Sequence, residues 1–149
     1  MPVPFTVSVH GEPREWFFPR RWLHRMNYFL VVSLFNVFPL PKKSGFRESF
    51  QFAGESADRG YSILVFPEGE LTPDGKLHAF QSGIGLLAKN LRLPVLPMRI
   101  DGLWEVKLTG WRFARPGKVG VTIGVPVEYP PGTSPEQIAR DLELRVRGL

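Results

Sequence analysis

The run Tyr61-Ser-Ile-Leu-Val-Phe66, stopped at once by Pro67, constrains this chain more than any other segment. Six residues without a charge, largely β-branched and aromatic, read as a buried strand. A second short strand is expected over Val95–Ile100, between Pro94 and the residues beyond. Between the two, Ile84, Leu87, Ala88 and Leu91 mark one face of a helix. The connection from Phe66 to Pro94 is long enough for a right-handed parallel crossover. The expected class is therefore α/β, a layered sheet with helices on both faces. At 149 residues, one domain spanning 1–149 is expected, with no internal repeat and no dividing linker.

Other patterns fill in the layers. Phe46, Phe50, Ala53 and Ala57 fall at i, i+4, i+7 and i+11, one face of an amphipathic helix over Phe46–Arg59, with Gly60 placed to end it. Lys118–Val127 carries Val119, Val121, Ile123 and Val125 on one face, the pattern of a half-exposed strand near a sheet edge. Ser134, Pro135 and Gln137 supply an N-cap, a proline at the first helical position and a glutamine at the third. A closing helix starts there and uses Ile138, Leu142 and Val146. Met1–Pro19 shows no sustained period and is expected to be irregular.

Arg20–Phe38 predicts a helix, ended by Pro39 and Pro41. Its basic opening and its apolar run, Tyr28–Phe38, fit a core helix with a solvated start. The core reading is preferred, since soluble α/β proteins bury such helices routinely; the other reading is a helix lying partly among lipid headgroups. Eleven helical residues rise about 16 Å, roughly half of a bilayer's hydrocarbon core, so this run is not expected to span a membrane.

Composition removes several chemistries. The chain has no cysteine, which excludes disulfides and thiol nucleophiles, and its three histidines (His10, His24, His78) are scattered, so no metal site is expected. Met-Pro-Val-Pro-Phe at the start has neither a basic leader nor an apolar core, and no secretory leader is expected. The net charge of +5 is concentrated between Lys76 and Lys118, where eight basic side chains face only Asp101 and Glu105. With Trp104 and Trp111 interleaved, this stretch fits an anionic membrane surface, a grip on phosphates, or a plain solvated face. No nucleic-acid motif accompanies the charge, so no nucleic-acid partner is expected.

Chemistry is expected beyond the carboxyl end of the Tyr61–Phe66 strand, where α/β sheets bind ligands. Pro67-Glu68-Gly69-Glu70-Leu71-Thr72 stands there. Pro67 ends the strand, and Gly69 permits a backbone conformation closed to other residues. Glu68 at the exit suits either a hydrogen bond to a ligand hydroxyl or a clamp on the loop backbone. Thr72-Pro-Asp-Gly75 reads as a type I turn. Phe80-Gln81-Ser82-Gly83 then leads into a helix whose first amides could face an anion.

Taken together, Val65-Phe66-Pro67-Glu68-Gly69, Thr72, Phe80-x-x-Gly83, Leu87-Ala88 and Pro94-Val-Leu-Pro-Met-Arg-Ile100-x-Gly102 resemble the glycerolipid acyltransferases, typified by lysophosphatidate (1-acylglycerol-3-phosphate) acyltransferase. Phe66–Gly69 resembles that family's third motif and Pro94–Pro97 its fourth. Phe38-Pro-Leu-Pro-Lys42 resembles the second, with Lys42 where the family has arginine and with Lys43 and Arg47 close by. The motif-bearing region is 38–102. The family's Thr-Arg-Ser after Glu-Gly is here Glu70-Leu71-Thr72, which exchanges a positive charge for a negative one.

The resemblance implies a glycerol-phosphate acyltransferase-like fold and transfer of an acyl group from acyl-coenzyme A or acyl carrier protein, as co-substrate, to the hydroxyl of a lysophospholipid or related acceptor, without a further cofactor. It implies Lys42 and Arg47 as cations for the acceptor, and Glu68, Gly69 and Thr72 as its binding loop. It implies a cytoplasmic location, peripheral to the inner face of the membrane. In this family a histidine within Asn-His-x-x-x-x-Asp takes the hydroxyl proton, and an imidazole suits the task because its pKa lies near working pH. That motif does not occur in these 149 residues. His10 with Glu15 has the spacing, but Val9 stands in place of asparagine. No catalytic residue is therefore assigned, and a chain lacking part of an acyltransferase domain, with little or no activity alone, is expected. The alternative is a non-catalytic lipid- or phosphate-binding remnant.

Overall fold

The computed structural model of the chain describes residues 5–10, 37–40, 46–70, 72–106 and 116–149, with side chains from Ser49 onward. It divides into two compact units, Met1–Glu70 and Leu71–Leu149.

In the first unit, Phe5–His10 (β1), Val37–Leu40 (β2) and Ser62–Leu64 (β3) form a parallel sheet in the order β2-β1-β3. Val7 is opposite Val37, and Phe5 is opposite Ser62. Two expectations are corrected here. Residues 5–10 are a strand and not irregular. Their signal was the alternation Phe5-Thr-Val-Ser-Val-His10, a strict period of two that the flanking prolines obscure. Val37 and Phe38 likewise belong to a strand and not to the end of a helix, and Pro39 continues that strand. Proline is tolerated there because β2 is the edge among the described strands of this sheet, where a ladder donor can be spared. The rest of the expected Arg20–Phe38 helix lies outside the described residues.

Phe46–Asp58 (α1) packs on β2 and β3. Its buried stripe is Ser49, Ala53 and Ser56, with Phe50 and Ala57 half-buried. The buried face is thus made of small side chains and is rotated slightly from the face read off the phenylalanines. The helix ends as the sequence predicts. Gly60 adopts φ +82°, its amide donates to the Ala57 carbonyl (2.8 Å), and the Tyr61 amide donates to the Ser56 carbonyl (3.0 Å). This pair of bonds is a Schellman motif, and it satisfies carbonyls the helix leaves open.

In the second unit, Ser82–Leu91 (α2) packs on Pro135–Arg147 (α4). Leu87, Ile138, Ala139, Leu142 and Val146 are buried between and beneath them, Ile138 completely. The start of α4 is the capping box expected: the Ser134 hydroxyl accepts from the Gln137 amide (3.2 Å), and the Gln137 side chain accepts from the Ser134 amide (3.1 Å). Gly85 explains how closely the helices approach, because a Cβ at that position would collide with the Pro135 carbonyl.

Met98–Asp101 (β4) and Gly120–Ile123 (β5) form an antiparallel pair, with Leu103–Val106 (α3) between them in sequence. Val95 and Val127 extend the pairing as a bridge, offset by one residue from the ladder. The crossover expected from Tyr61–Phe66 to Val95–Ile100 is not formed as a shared ladder: β3 pairs with β1, and β4 pairs with β5. The two strands of the expected crossover contribute their hydrogen bonds to different sheets. The α/β class itself is what the structure shows.

Directly opposed residues share a sheet face, so Met98 with Ile123 and Ile100 with Val121 form one apolar surface. It is open, with Val121 58% and Ile123 61% exposed, and Val119 and Val125 continue it. The edge position predicted for this strand is observed.

Gly85→Ala tests the helix crossing. In an isolated helix the change gains about 1 kcal/mol from propensity. Here it is expected to lose about 2 kcal/mol net, because the obstructing atom is backbone and cannot rotate away. Ile123→Thr, on the open face, is expected to change stability by less than about 1 kcal/mol. Urea unfolding of both variants checks the contrast.

Candidate functional site

The turn that follows β3 is built by its own backbone. The Gly69 amide donates to the Phe66 carbonyl (3.3 Å), closing Phe66-Pro67-Glu68-Gly69 into a four-residue turn. Gly69 adopts φ +73° and is buried, so an L side chain would be strained there. Glu68 is half-buried within the turn, and Phe66 is exposed on its approach. Glu68 and Gly69 are therefore held together at the carboxyl end of β3, where the sequence places them. Arg47 stands in the first turn of α1. A cation there opposes the helix dipole, so the dipole does not account for its position. Lys42 lies outside the described residues, as do Glu15 and His24. His10 is the last residue of β1, opposite Leu40, and not in a loop.

Thr72 belongs to the second unit and to a second constellation, centred on Asp74. Oδ1 of Asp74 accepts from the Thr72 hydroxyl (3.0 Å) and the Lys76 amide (3.1 Å), and lies 2.9 Å from Nε2 of His78. The Asp74 amide returns a long bond to the Thr72 hydroxyl (3.4 Å). The His78 hydrogen bond, then the Lys76 amide and the Thr72 hydroxyl, hold the Asp74 carboxyl down at about 2. Trp104 of α3 covers this turn: a Cβ at Gly75 would meet the indole Cγ at 2.6 Å. His78 is half exposed and pairs with Asp74, a contact made by the bend of this loop.

The loop continues to α2 and is fastened by α4. The Phe80 amide donates to Oε2 of Glu143 (3.1 Å), and Nη2 of Arg147 donates to the Leu77 carbonyl (3.0 Å). Glu143 and Arg147 are themselves paired at 2.9 Å. The Phe80 amide, with Arg147 behind it, holds the Glu143 carboxyl below its ordinary range. The first amides of α2 could face an anion; the carboxylate seen nearby, at the Phe80 amide just before the N-cap, is the chain's own Glu143. Sequence reasoning missed this contact because 63 residues separate the partners; only the i, i+4 pairing of Glu143 with Arg147 was legible.

Within the basic stretch, Arg99 pairs with Asp101 (3.1 Å). Among the described residues no group of three His, Asp or Glu is placed to hold a metal ion, and no helix is long and apolar enough to cross a membrane.

The turn at Gly69, the loop at Thr72 and the strand at Met98 fall inside one further observation: the family model Acyltransferase matches residues 21–101. The chain belongs to the acyltransferase family. It is 36% identical over 138 residues to a 1-acyl-sn-glycerol-3-phosphate acyltransferase of Pseudomonas aeruginosa, covering 91% of this chain and 53% of that protein. A chloroplastic 1-acyl-sn-glycerol-3-phosphate acyltransferase of Brassica napus is 34% identical over 56 residues, 38% of this chain and 16% of that protein. Among solved structures, the chain resembles the 1-acyl-sn-glycerophosphate (LPA) acyltransferase PlsC of Thermotoga maritima. The TM-score is 0.69 at 28% identity, over 97% of this chain and 55% of that one. The chain thus spans about half the length of the acyltransferases it matches most extensively. All five residues expected on the acceptor side, Lys42, Arg47, Glu68, Gly69 and Thr72, lie within the family match.

Asp74 supplies a pH test. Its folded pKa is depressed, so the turn gains from the carboxylate above the ordinary value of 3.8 and loses that gain as pH falls through about 2. A carbon-detected NMR titration is expected to place the Asp74 midpoint near 2, and His78→Ala is expected to raise it toward the ordinary carboxylate value.

Proposed function

We propose that this chain carries the acceptor-binding part of a glycerolipid acyltransferase, acting at the cytoplasmic surface of a membrane. The observation that carries the reading is the Phe66–Gly69 turn, closed by its own hydrogen bond around a buried positive-φ glycine, at the carboxyl end of a parallel strand and inside the family match. The acceptor is a glycerol-phosphate-type alcohol such as lysophosphatidate, and the donor is the thioester of acyl-coenzyme A or acyl carrier protein. The name of the Pseudomonas aeruginosa relative supports that acceptor.

On this reading Glu68 accepts a hydrogen bond from the acceptor's hydroxyl, and Gly69 lets the backbone bend close to it. Arg47, in the first turn of α1, and Lys42 ahead of it bring positive charge to a helix start that already favours an anion. Together they hold the acceptor's phosphate. Thr72 contributes through the Asp74 turn, whose hydroxyl contact it makes. The transfer itself needs the acceptor oxygen to attack the thioester carbonyl while its proton leaves to a base, and the thiolate departs. These 149 residues hold no His-x-x-x-x-Asp for that proton. The chain by itself is therefore expected to bind acceptor and to turn over poorly. The same absence favours a second reading, a lipid- or phosphate-binding remnant.

Purified chain is expected to bind lysophosphatidate in mixed micelles. The double change Lys42→Glu, Arg47→Glu is expected to weaken that binding by about tenfold or more. With labelled acyl-coenzyme A, product formation is expected to stay near background, as when a base is removed from a base–nucleophile unit. Unchanged affinity after charge reversal would reject the acceptor site, and robust turnover would reject the claim of inactivity.

A further inference from the structure

The helix that starts the Phe80-x-x-Gly83 motif has no cap of its own. Gln81 at the N-cap of α2 makes no side-chain capping bond, and the first turn carries no acidic residue. Phe80 lies one residue before that N-cap, so its amide belongs to the entering loop and not to the open amides of the helix. A carboxylate reaches this loop amide from α4. Glu143 takes the Phe80 amide on Oε2 and offers Oε1 to Arg147, and Arg147 spends its remaining reach on the Leu77 carbonyl. Loop residues 77–80 are thus gripped at a carbonyl and at an amide by one ion pair. The Asp74 net grips 72–78 from the other side, through Thr72, Lys76 and His78. The two nets meet at Leu77 and His78, so the backbone from Thr72 to Phe80 is referenced to α4.

Surface ion pairs contribute little to stability by themselves. This pair differs in its use: each member's second hydrogen bond goes to backbone of a loop more than sixty residues away in sequence. Fixing a binding loop in advance removes an ordering cost that the ligand would otherwise bear.

We propose that Glu143 and Arg147 are positioning residues for the acyl acceptor, acting through the Phe80 amide and the Leu77 carbonyl to fix the loop that bears Thr72. This rests on the acceptor reading above. The two act through the loop and do not touch the acceptor.

The test uses the full chain with Glu143→Gln, Arg147→Met and Arg147→Lys, and with Ser134→Ala as a control that loosens the same helix at its cap, away from the loop. Lysophosphatidate affinity in mixed micelles is measured by calorimetry, loop order by amide hydrogen exchange over 77–80, and global stability by thermal unfolding. Glu143→Gln and Arg147→Met are expected to speed exchange at the Phe80 amide and to weaken lysophosphatidate binding, each by about tenfold, the scale of a lost charged hydrogen bond. Arg147→Lys is expected to recover part of the affinity, since an ammonium reaches one acceptor but not both. Ser134→Ala is expected to lower the unfolding temperature with affinity unchanged within about twofold. Faster exchange with wild-type affinity in the Glu143 and Arg147 variants would overturn the positioning role alone. Equal loss of affinity in Ser134→Ala would overturn it as well, by assigning the effect to general loosening. Absence of binding by the wild-type chain would remove the acceptor reading and this inference with it.

Discussion

The second unit depends on the approach of α2 to α4, and that approach depends on one missing side chain. Gly85 lets the helix backbone come against the Pro135 carbonyl, which puts Leu87 over Ile138, Ala139, Leu142 and Val146 in a single buried layer. Proline at that end of α4 is itself dictated by the cap: its φ suits the first helical position, and its missing amide is not needed there. Cap, crossing and core are therefore one arrangement. Without the close crossing, Glu143 and Arg147 on α4 could not reach Phe80 and Leu77. Packing in the interior thus determines where the loop outside it stands.

Helix α4 repeats one device twice. Asp141 with Arg145 and Glu143 with Arg147 are both i, i+4 pairs, and each carboxylate also holds a group distant from it in sequence. Asp141 accepts from the Tyr129 hydroxyl (2.7 Å); burial first, and this bond to a carboxylate second, push the phenol's pKa up. Glu143 accepts from the Phe80 amide. The Arg145 hydrogen bond lowers the Asp141 pKa, and for Glu143 the Phe80 amide does so first, with Arg147 adding to it. The helix serves as a rail to which the segments before and after the β4–β5 pair are tied.

How much of this was legible follows from how local each determinant is. The Ser134 capping box, the Gly60 helix end and the Gly69 bend were read correctly, because each is decided by two to four neighbouring residues with restricted geometry. The open face of β5 was legible from its alternation. β1 was missed because prolines flank a short alternating run, and β2 because an apolar stretch of helical length ran up to it. The pairing of strands could not be read from pattern alone: β3 and β4 look alike as apolar runs, and only the ladders distinguish their sheets. The Phe66–Gly69 turn was legible as a motif, whereas the fastening of Leu77 and Phe80 rests on contacts across sixty and more residues, for which single-sequence spacing carries no signal.

The order of strands in the first unit has a consequence for synthesis. β1 lies between the other two described strands of its sheet and precedes both in the chain, so its partners arrive later. Val7 waits about thirty residues for Val37, and Phe5 waits about sixty for Ser62. During that interval the strand emerges with both edges bare, and no hairpin can satisfy it, because parallel neighbours cannot be joined by a tight turn. Closure of this sheet therefore waits on long-range pairing, the slow step for a topology of this kind.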